Sequence, residues 1–251
     1  MVSSYICRMR FKGILTFILL VFIFGFKAPV ALQKISLDME IKSVHKGKVI
    51  VTKAEVYYKV QGGLIVTHLT YPYESITIAN ARGEMKIYEP KENTVMQMQS
   101  MGFSSQNSVF YCFFNNMTQD MGLKKMGYSL GKSEVEGNYL VSTWLLSSFG
   151  NSPLKKVELV LEKYSPIHMA FFDERNAIRQ KVYYSNYQQI DEFRLPMKIT
   201  EISFENKTDS TIDRKIYTNV KINNEVNETY LNYKVPANAK VIDPYAEQKK
   251  K

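Results

Sequence analysis

Ile35-Ser-Leu-Asp-Met-Glu-Ile41 alternates apolar and polar residues without a break. A period of two belongs to a strand with one buried and one wet face. Working outward, His45-Lys-Gly-Lys48 supplies a turn, residues 49–60 a second strand, Gly62-Gly63 a break and residues 64–71 a third strand. Residues 75–78 and 84–88 flank Asn80-Ala-Arg-Gly83, a hairpin pattern, and residues 94–98 follow. Further on, residues 139–146, 157–163, 167–172, 179–184, 197–204 and 216–222 read as strands. They are punctuated by Asn151-Ser-Pro153, Tyr164-Ser-Pro166, Asp173-Glu-Arg-Asn176 and Asn206-Lys-Thr-Asp209. The fold expected is mainly β, in a single domain without repeats or linkers.

Residues 101–128 break the alternation. Val109-Phe-Tyr-Cys-Phe-Phe114 is apolar on every side, and Met117, Met121 and Met126 recur at helical spacings. Two short helices are expected, inserted between strands and covering a sheet face or a barrel mouth. Met and Phe repack at low cost, which suits a surface that receives varied apolar chains. A lid packed permanently on the sheet accounts for the same pattern.

The 251 residues carry a formal charge of +9, which taken alone points to an anionic polymer. The charge is unevenly placed. Arg8, Arg10, Lys12 and Lys27 stand in the first 33 residues with no acid, and Lys249, Lys250 and Lys251 close the chain. Between Lys34 and Gln248 there remain 26 basic against 24 acidic residues, so a nucleic-acid surface is excluded from the body. The basic start precedes an uncharged apolar run over residues 13–26, shorter than the roughly 20 residues of a membrane helix. Together they read as an export signal over residues 1–32, cleaved at about 31–33. Residues 33–244 form the expected domain and residues 245–251 a basic tail. Cys7 lies in the signal, so Cys112 is the sole mature cysteine and no internal disulfide is expected.

Catalytic patterns are missing. His45, His68 and His168 stand far apart with no carboxylate or cysteine at metal-ligand spacing, and no nucleophile elbow or phosphate loop occurs. The expectation is therefore no enzyme, no metal and no cofactor.

Four stretches resemble the periplasmic outer-membrane lipoprotein carrier (LolA) family. Glu55-Val-Tyr-Tyr-Lys-Val-Gln-Gly-Gly-Leu-Ile-Val66 with Tyr71-Pro-Tyr-Glu-Ser-Ile76 is similar to its early aromatic strand, turn and strand. Asn80-Ala-Arg-Gly-Glu-Met-Lys-Ile-Tyr-Glu-Pro90 resembles its next hairpin, and Phe193-Arg-Leu-Pro-Met-Lys-Ile199 a superfamily strand. Leu231-Asn-Tyr-Lys-Val-Pro-Ala-Asn-Ala-Lys-Val-Ile242 resembles its closing block. The resemblance implies an open, incomplete antiparallel β-barrel, a half-barrel covered by short lid helices. It also implies a non-enzymatic carrier in the periplasm of a Gram-negative bacterium. The implied cargo is an acylated lipoprotein or lipid, passed by a monomer from an inner-membrane donor complex to an outer-membrane acceptor. A lipid sensor acting through a protein partner is the alternative. Two departures stand out. The family's Arg-Pro pair falls at Gln61 and Gly62, so its role in lid control does not carry over, and the N-terminal helix before the first strand is missing.

For such a carrier the lid residues Val109, Phe110, Phe113, Phe114, Met117 and Met121 are the first candidates for contact with acyl chains. Leu37, Met39, Ile41, Val56, Tyr58, Leu64 and Val66 are the strand candidates. The opposite phase (Tyr57, Ile65, Leu69) is equally open to a pattern that does not say which face lines the cavity.

Overall fold

The computed structural model describes residues 31–147, 152–205 and 209–243. The expected export segment up to residue 30 and the basic tail lie outside the described residues. So do residues 148–151 and 206–208, on which parts of two expected turns fall.

The first run of strands is β1 Lys34–His45, β2 Lys48–Lys59, β3 Leu64–Tyr71, β4 Ser75–Ala79, β5 Glu84–Glu89 and β6 Thr94–Gln99. After the insert come β7 Tyr128–Glu136, β8 Tyr139–Leu146, β9 Leu154–Glu162, β10 Ser165–Asp173, β11 Ile178–Ile190, β12 Phe193–Phe204 and β13 Ser210–Ile222. A short β14, Lys240–Ile242, ends the described chain. They form one sheet in the order β14-β6-β5-β4-β3-β2-β1-β13-β12-β11-β10-β9-β8-β7. Two antiparallel meanders are thus zipped together where β1 pairs with β13, with Met39 opposite Tyr217 and Ile41 opposite Lys215. β7 and β14 stand at opposite edges, so the sheet is an open half-barrel and not a closed barrel. Among the described residues no helix is long and apolar enough to cross a membrane.

Both faces of the sheet are apolar, and each is covered by a different segment. On the inner face, Leu37, Val56, Tyr58, Trp144, Leu159, Met169 and Ile199 form one core with Phe110, Phe113, Phe114 and Leu123 of the insert. On the outer face, Tyr57, Val66, Ile76, Tyr88 and Val95 pack under Val226 and Leu231 of the C-terminal strap. Tyr230 of the strap stacks on His68 at 4.3 Å, and the His68 ring lies 3.2 Å from Glu55 and 3.0 Å from Glu74. The strap ends as β14 beside β6, parallel to it, with Val241 opposite Val95.

The insert departs from the two helices expected. One helix forms, α1 over Val109–Phe114, and the chain then proceeds through turns to Gly127. The helical spacing of Met117, Met121 and Met126 is overridden by the backbone. Asn116, Met121, Gly122 and Gly127 all take positive φ, which no α-helix accommodates. Upstream, Ser100, Ser104 and Ser108 cap three successive turns, accepting from the amides of Gly102, Gln106 and Tyr111. β7 and β14 were not expected either. Only Tyr128 of β7 is buried, so its alternation has no apolar phase to reveal it.

The insert is rooted on the β4–β5 hairpin. Ser104 Oγ donates to the Ala81 carbonyl at 2.9 Å, and Ser105 N–H donates to the Asn80 carbonyl at 3.1 Å. Gly83 closes this turn at φ +79°, and a Cβ there would lie 2.3 Å from the Ser100 carbonyl oxygen. Gly83→Ala is therefore expected to cost more than about 1 kcal/mol, read as a lower urea midpoint.

Candidate functional site

α1 is held by rings. Tyr58 of β2 stacks with Phe114 at 5.6 Å and with Phe110 at 6.4 Å. Phe110 also meets Tyr217 of β13 at 5.5 Å, Phe113 meets Tyr184 of β11 at 6.4 Å, and Phe114 meets Phe193 of β12 edge-on at 5.3 Å. Aromatic pairs of this kind contribute about 0.5–1.5 kcal/mol each beyond burial. The six-residue helix thus grips strands from both meanders.

Beside this contact lies a cavity of about 490 Å³ between sheet and insert. From the first meander it is lined by Met39, Ile41, Val56, Ile65 and Thr67. The second contributes Met169, Phe171, Val182, Tyr184, Ile199 and Tyr217. Val109, Phe110, Cys112, Met121, Leu123 and Met126 close it from above. The polar groups are few: Asn107 and Ser108 at the start of α1, and Glu201 and Lys215 on the sheet. The last two pair at 3.5 Å, and Glu201 also accepts from the Gln180 amide.

The titratable groups around the cavity are neutral or paired. Burial pushes the Cys112 thiol up to about 11, so it is not a thiolate at neutral pH. Burial likewise raises the phenols of Tyr184 and Tyr217. Tyr184 donates to the Met169 sulfur at 3.4 Å. Among the described residues no group of three or more His, Cys, Asp or Glu side chains could hold a metal ion. What the arrangement can do is admit uncharged apolar matter and shield it from water.

Of the residues expected from the sequence, Met39, Ile41, Val56, Val109, Phe110 and Met121 line this cavity. Leu37, Tyr58, Phe113, Phe114 and Met117 lie in the core adjoining it. Leu64 and Val66 belong to the other face, packed with Tyr57 under the C-terminal strap. The reason is register. Tyr58 pairs with Ile65 and Tyr57 with Val66, so even-numbered positions of β2 share a face with odd-numbered positions of β3. Neither phase proposed from the pattern holds across the turn at residues 60–63. The second meander's contribution was missed entirely; its alternation was visible, but its pairing partner β1 was not.

Tyr58 is fully buried, and its hydroxyl makes no hydrogen bond of ordinary geometry among the described residues, as is also true of Ser105 Oγ. Burial lifts this phenol to about 12 while the nearby Asn115 side chain pulls it back down, although the Asn115 amide donates to the Tyr111 carbonyl at 2.9 Å. Leaving such a group unsatisfied costs about 1–3 kcal/mol.

No protein-family profile matches the chain, and no curated protein sequence does. Solved structures do match in fold. A LolA superfamily protein from Nitrosomonas europaea superposes with a TM-score of 0.54 at 11% identity, over 80% of this chain and 91% of the other. A DUF1329 family protein from Desulfovibrio piger gives 0.58 at 13% identity, over 80% and 90%. A domain from Vibrio parahaemolyticus described as an outer membrane lipoprotein-sorting protein gives 0.57 at 15% identity, over 80% and 89%. The chain has the LolA-like half-barrel fold.

Tyr58→Phe removes the orphaned hydroxyl and keeps the ring stack. It is expected to stabilise the protein by about 1 kcal/mol in urea unfolding; a loss of stability would reveal a partner for the hydroxyl.

Proposed function

We propose that the protein is a non-enzymatic periplasmic carrier of acyl chains, taking those of lipoproteins or related lipids into the cavity under α1 and moving them toward the outer membrane. The observation that carries this reading is the cavity itself: about 490 Å³, lined mostly by apolar side chains, with Glu201 and Lys215 in its wall paired to each other. Each methylene hidden from water contributes about 0.8 kcal/mol, so a chain of a dozen carbons carries about 10 kcal/mol into such a site. That is enough to hold cargo in transit without a covalent bond. The volume is that of a single ligand; a cargo with several chains requires the insert to move outward. Met121, Met126 and Met169 on the walls adapt to a chain of variable length at low cost. On this reading the carrier acts as a monomer between an inner-membrane donor and an outer-membrane acceptor.

The direct test is native mass spectrometry of protein drawn from the cell envelope, followed by titration with an N-palmitoylated peptide. Retained lipid, or saturable uptake of the peptide, is the expected outcome; a protein that arrives empty and stays empty overturns the reading. Ile65 lines the cavity between Tyr58 and Ala79 with no cation opposite it, so Ile65→Asp places an unpaired carboxylate in the wall and is expected to weaken peptide binding by more than about tenfold, with the β signal in circular dichroism unchanged.

Cys112 offers an independent readout, because it lines the cavity and is 5% exposed. Its alkylation, followed by peptide mapping, is expected to be slow near neutral pH and to slow further on loading. The rate should rise as pH approaches the thiol's raised value near 11, since the thiolate is the reactive form. Alkylation insensitive to the palmitoylated peptide would place the chain elsewhere.

A further inference from the structure

The inner face of the half-barrel continues past the reach of α1. Pairing sets Leu130 opposite Trp144, Ser133 opposite Ser142 and Val135 opposite Leu140, and sets Leu140 in turn opposite Leu161. None of these side chains is charged. The other face of the same β7–β8 hairpin carries Lys132, Glu134 and Glu136 of β7 beside Tyr139, Val141 and Leu145 of β8. The charges of the hairpin are thus confined to that face. Leu130 is 52% exposed, Leu140 37% and the adjacent Tyr164 78%. Apolar groups therefore stand open to solvent on the face that elsewhere forms the core.

A groove of about 600 Å³ runs between this face and the turns at residues 116–125. Its floor is Leu140, Ser142, Trp144 and Leu161, with Met117 and Tyr164 as walls. It shares no lining residue with the cavity under α1. Packed core lies between the two, for Met117, Leu161 and Trp144 all belong to the hydrophobic cluster that contains Phe110 and Met121. Asp120, Lys124 and Lys125 form the lip, leaving one net positive charge there. Lys125 is held in place by the Tyr111 hydroxyl at 3.1 Å, whereas Lys124 is exposed.

We propose that this groove is a second binding site, for one single-chain amphiphile with an anionic head. The alkyl chain lies along Leu140 and Leu161, and the head meets Lys124 and Lys125. The size of the patch argues against a protein occupant. Its few open side chains present on the order of a few hundred Å², against about 800 Å² per partner in a standard protein interface. The lip charge argues for an anionic head over a zwitterionic or cationic one. The proposal shares with the carrier reading the premise that the inner face receives alkyl chains, but it requires a separate site.

Lysophosphatidylglycerol, titrated and read by native mass spectrometry, separates the two. The unmodified protein is expected to bind two molecules. Leu140→Asp and Ile65→Asp are each expected to bind one, every substituted site being weakened by more than about tenfold. Leu130→Asp, at a more exposed position, repeats the Leu140→Asp test should that variant fold poorly. Lys124→Glu is expected to weaken the second molecule roughly threefold and to leave the first unchanged. Lysophosphatidylcholine should fill the groove less well than the anionic probe. A single bound molecule, indifferent to Leu140→Asp and Leu130→Asp, overturns the second site and leaves the carrier reading intact. No bound molecule overturns the second site, and the palmitoylated-peptide titration then decides the carrier reading. A dimer in sedimentation that dissociates on Leu140→Asp also overturns the proposal, because the groove would then be a contact between copies of the chain.

Discussion

The stack of Tyr58 on Phe114, at 5.6 Å, joins the inserted helix to the strand that carries the middle of the sheet. β2 is apolar on both sides where the two meanders approach each other: Val56 and Tyr58 face inward, and Tyr57 faces outward. A strand buried on both faces needs a cover on each. The chain supplies one from the insert and one from the C-terminal strap. Were the sheet to close into a barrel, its inward side chains would fill their own interior. Because it stays open, the inner face must be met by something that is not sheet, and a short ring-studded helix cannot fill that space completely. The cavity is thus what an open half-barrel leaves when one turn and a half of helix covers it.

The same constraint explains why the two edges are treated differently. β6 is shielded by β14, which pairs with it through Lys240, Val241 and Ile242. Among the described residues β7 has no partner on its free side, and its outward face bears Lys132, Glu134 and Glu136. Charges on an exposed edge oppose pairing with another chain. The strap does two tasks at once, since Tyr230 anchors on His68 between Glu55 and Glu74 before the chain reaches β6. Outer-face packing and edge protection are therefore linked through one segment.

Much of this architecture is legible in the residues. Ile35-Ser-Leu-Asp-Met-Glu-Ile41 announces β1, and the turn residues at 62–63 and 80–83 fall between strands, whereas of Tyr164-Ser-Pro166 only Tyr164 lies in the turn and the other two begin β10. The insert between β6 and β7 is visible as a loss of period. Three things are not legible, each for a physical reason. The parity of pairing between β2 and β3 depends on how the chain turns at residues 60–63, and a slip of one residue exchanges the faces; Leu64 and Val66 moved to the outer face on that account. The turns after α1 depend on backbone conformation at Asn116, Met121 and Gly122, which side-chain spacing does not encode. The walls from β10 to β13 reach the cavity only because β13 pairs with β1 across nearly the whole domain, a contact between residues such as Ile41 and Lys215. The serines at 100, 104 and 108 were the readable sign of three short turns leading to the helix, where a search for helical periodicity sees only interruption.

Movement of the insert is a matter of balance between terms already visible. Holding it closed are the ring contacts of Phe110, Phe113 and Phe114, each worth about 0.5–1.5 kcal/mol beyond burial. Opposing them is the buried Tyr58 hydroxyl, whose missing partner costs about 1–3 kcal/mol and is recovered once water reaches it. The positive-φ residues at 116, 121 and 122 add to the cost of the closed form by preventing a second helix from consolidating the cover. Burial of Phe110, Phe113, Phe114 and Leu123 adds about 1.5–3 kcal/mol each on the closed side, so the hydroxyl offsets only part of what holds the insert down. A ligand shifts such an equilibrium by the difference in its affinity for the two states. On the function proposed above, an acyl chain of a dozen carbons has about 10 kcal/mol of burial to set against those contacts. A cover fixed by a complete helix and a satisfied Tyr58 would be more stable, and a chain would then have to break that cover before it could bind.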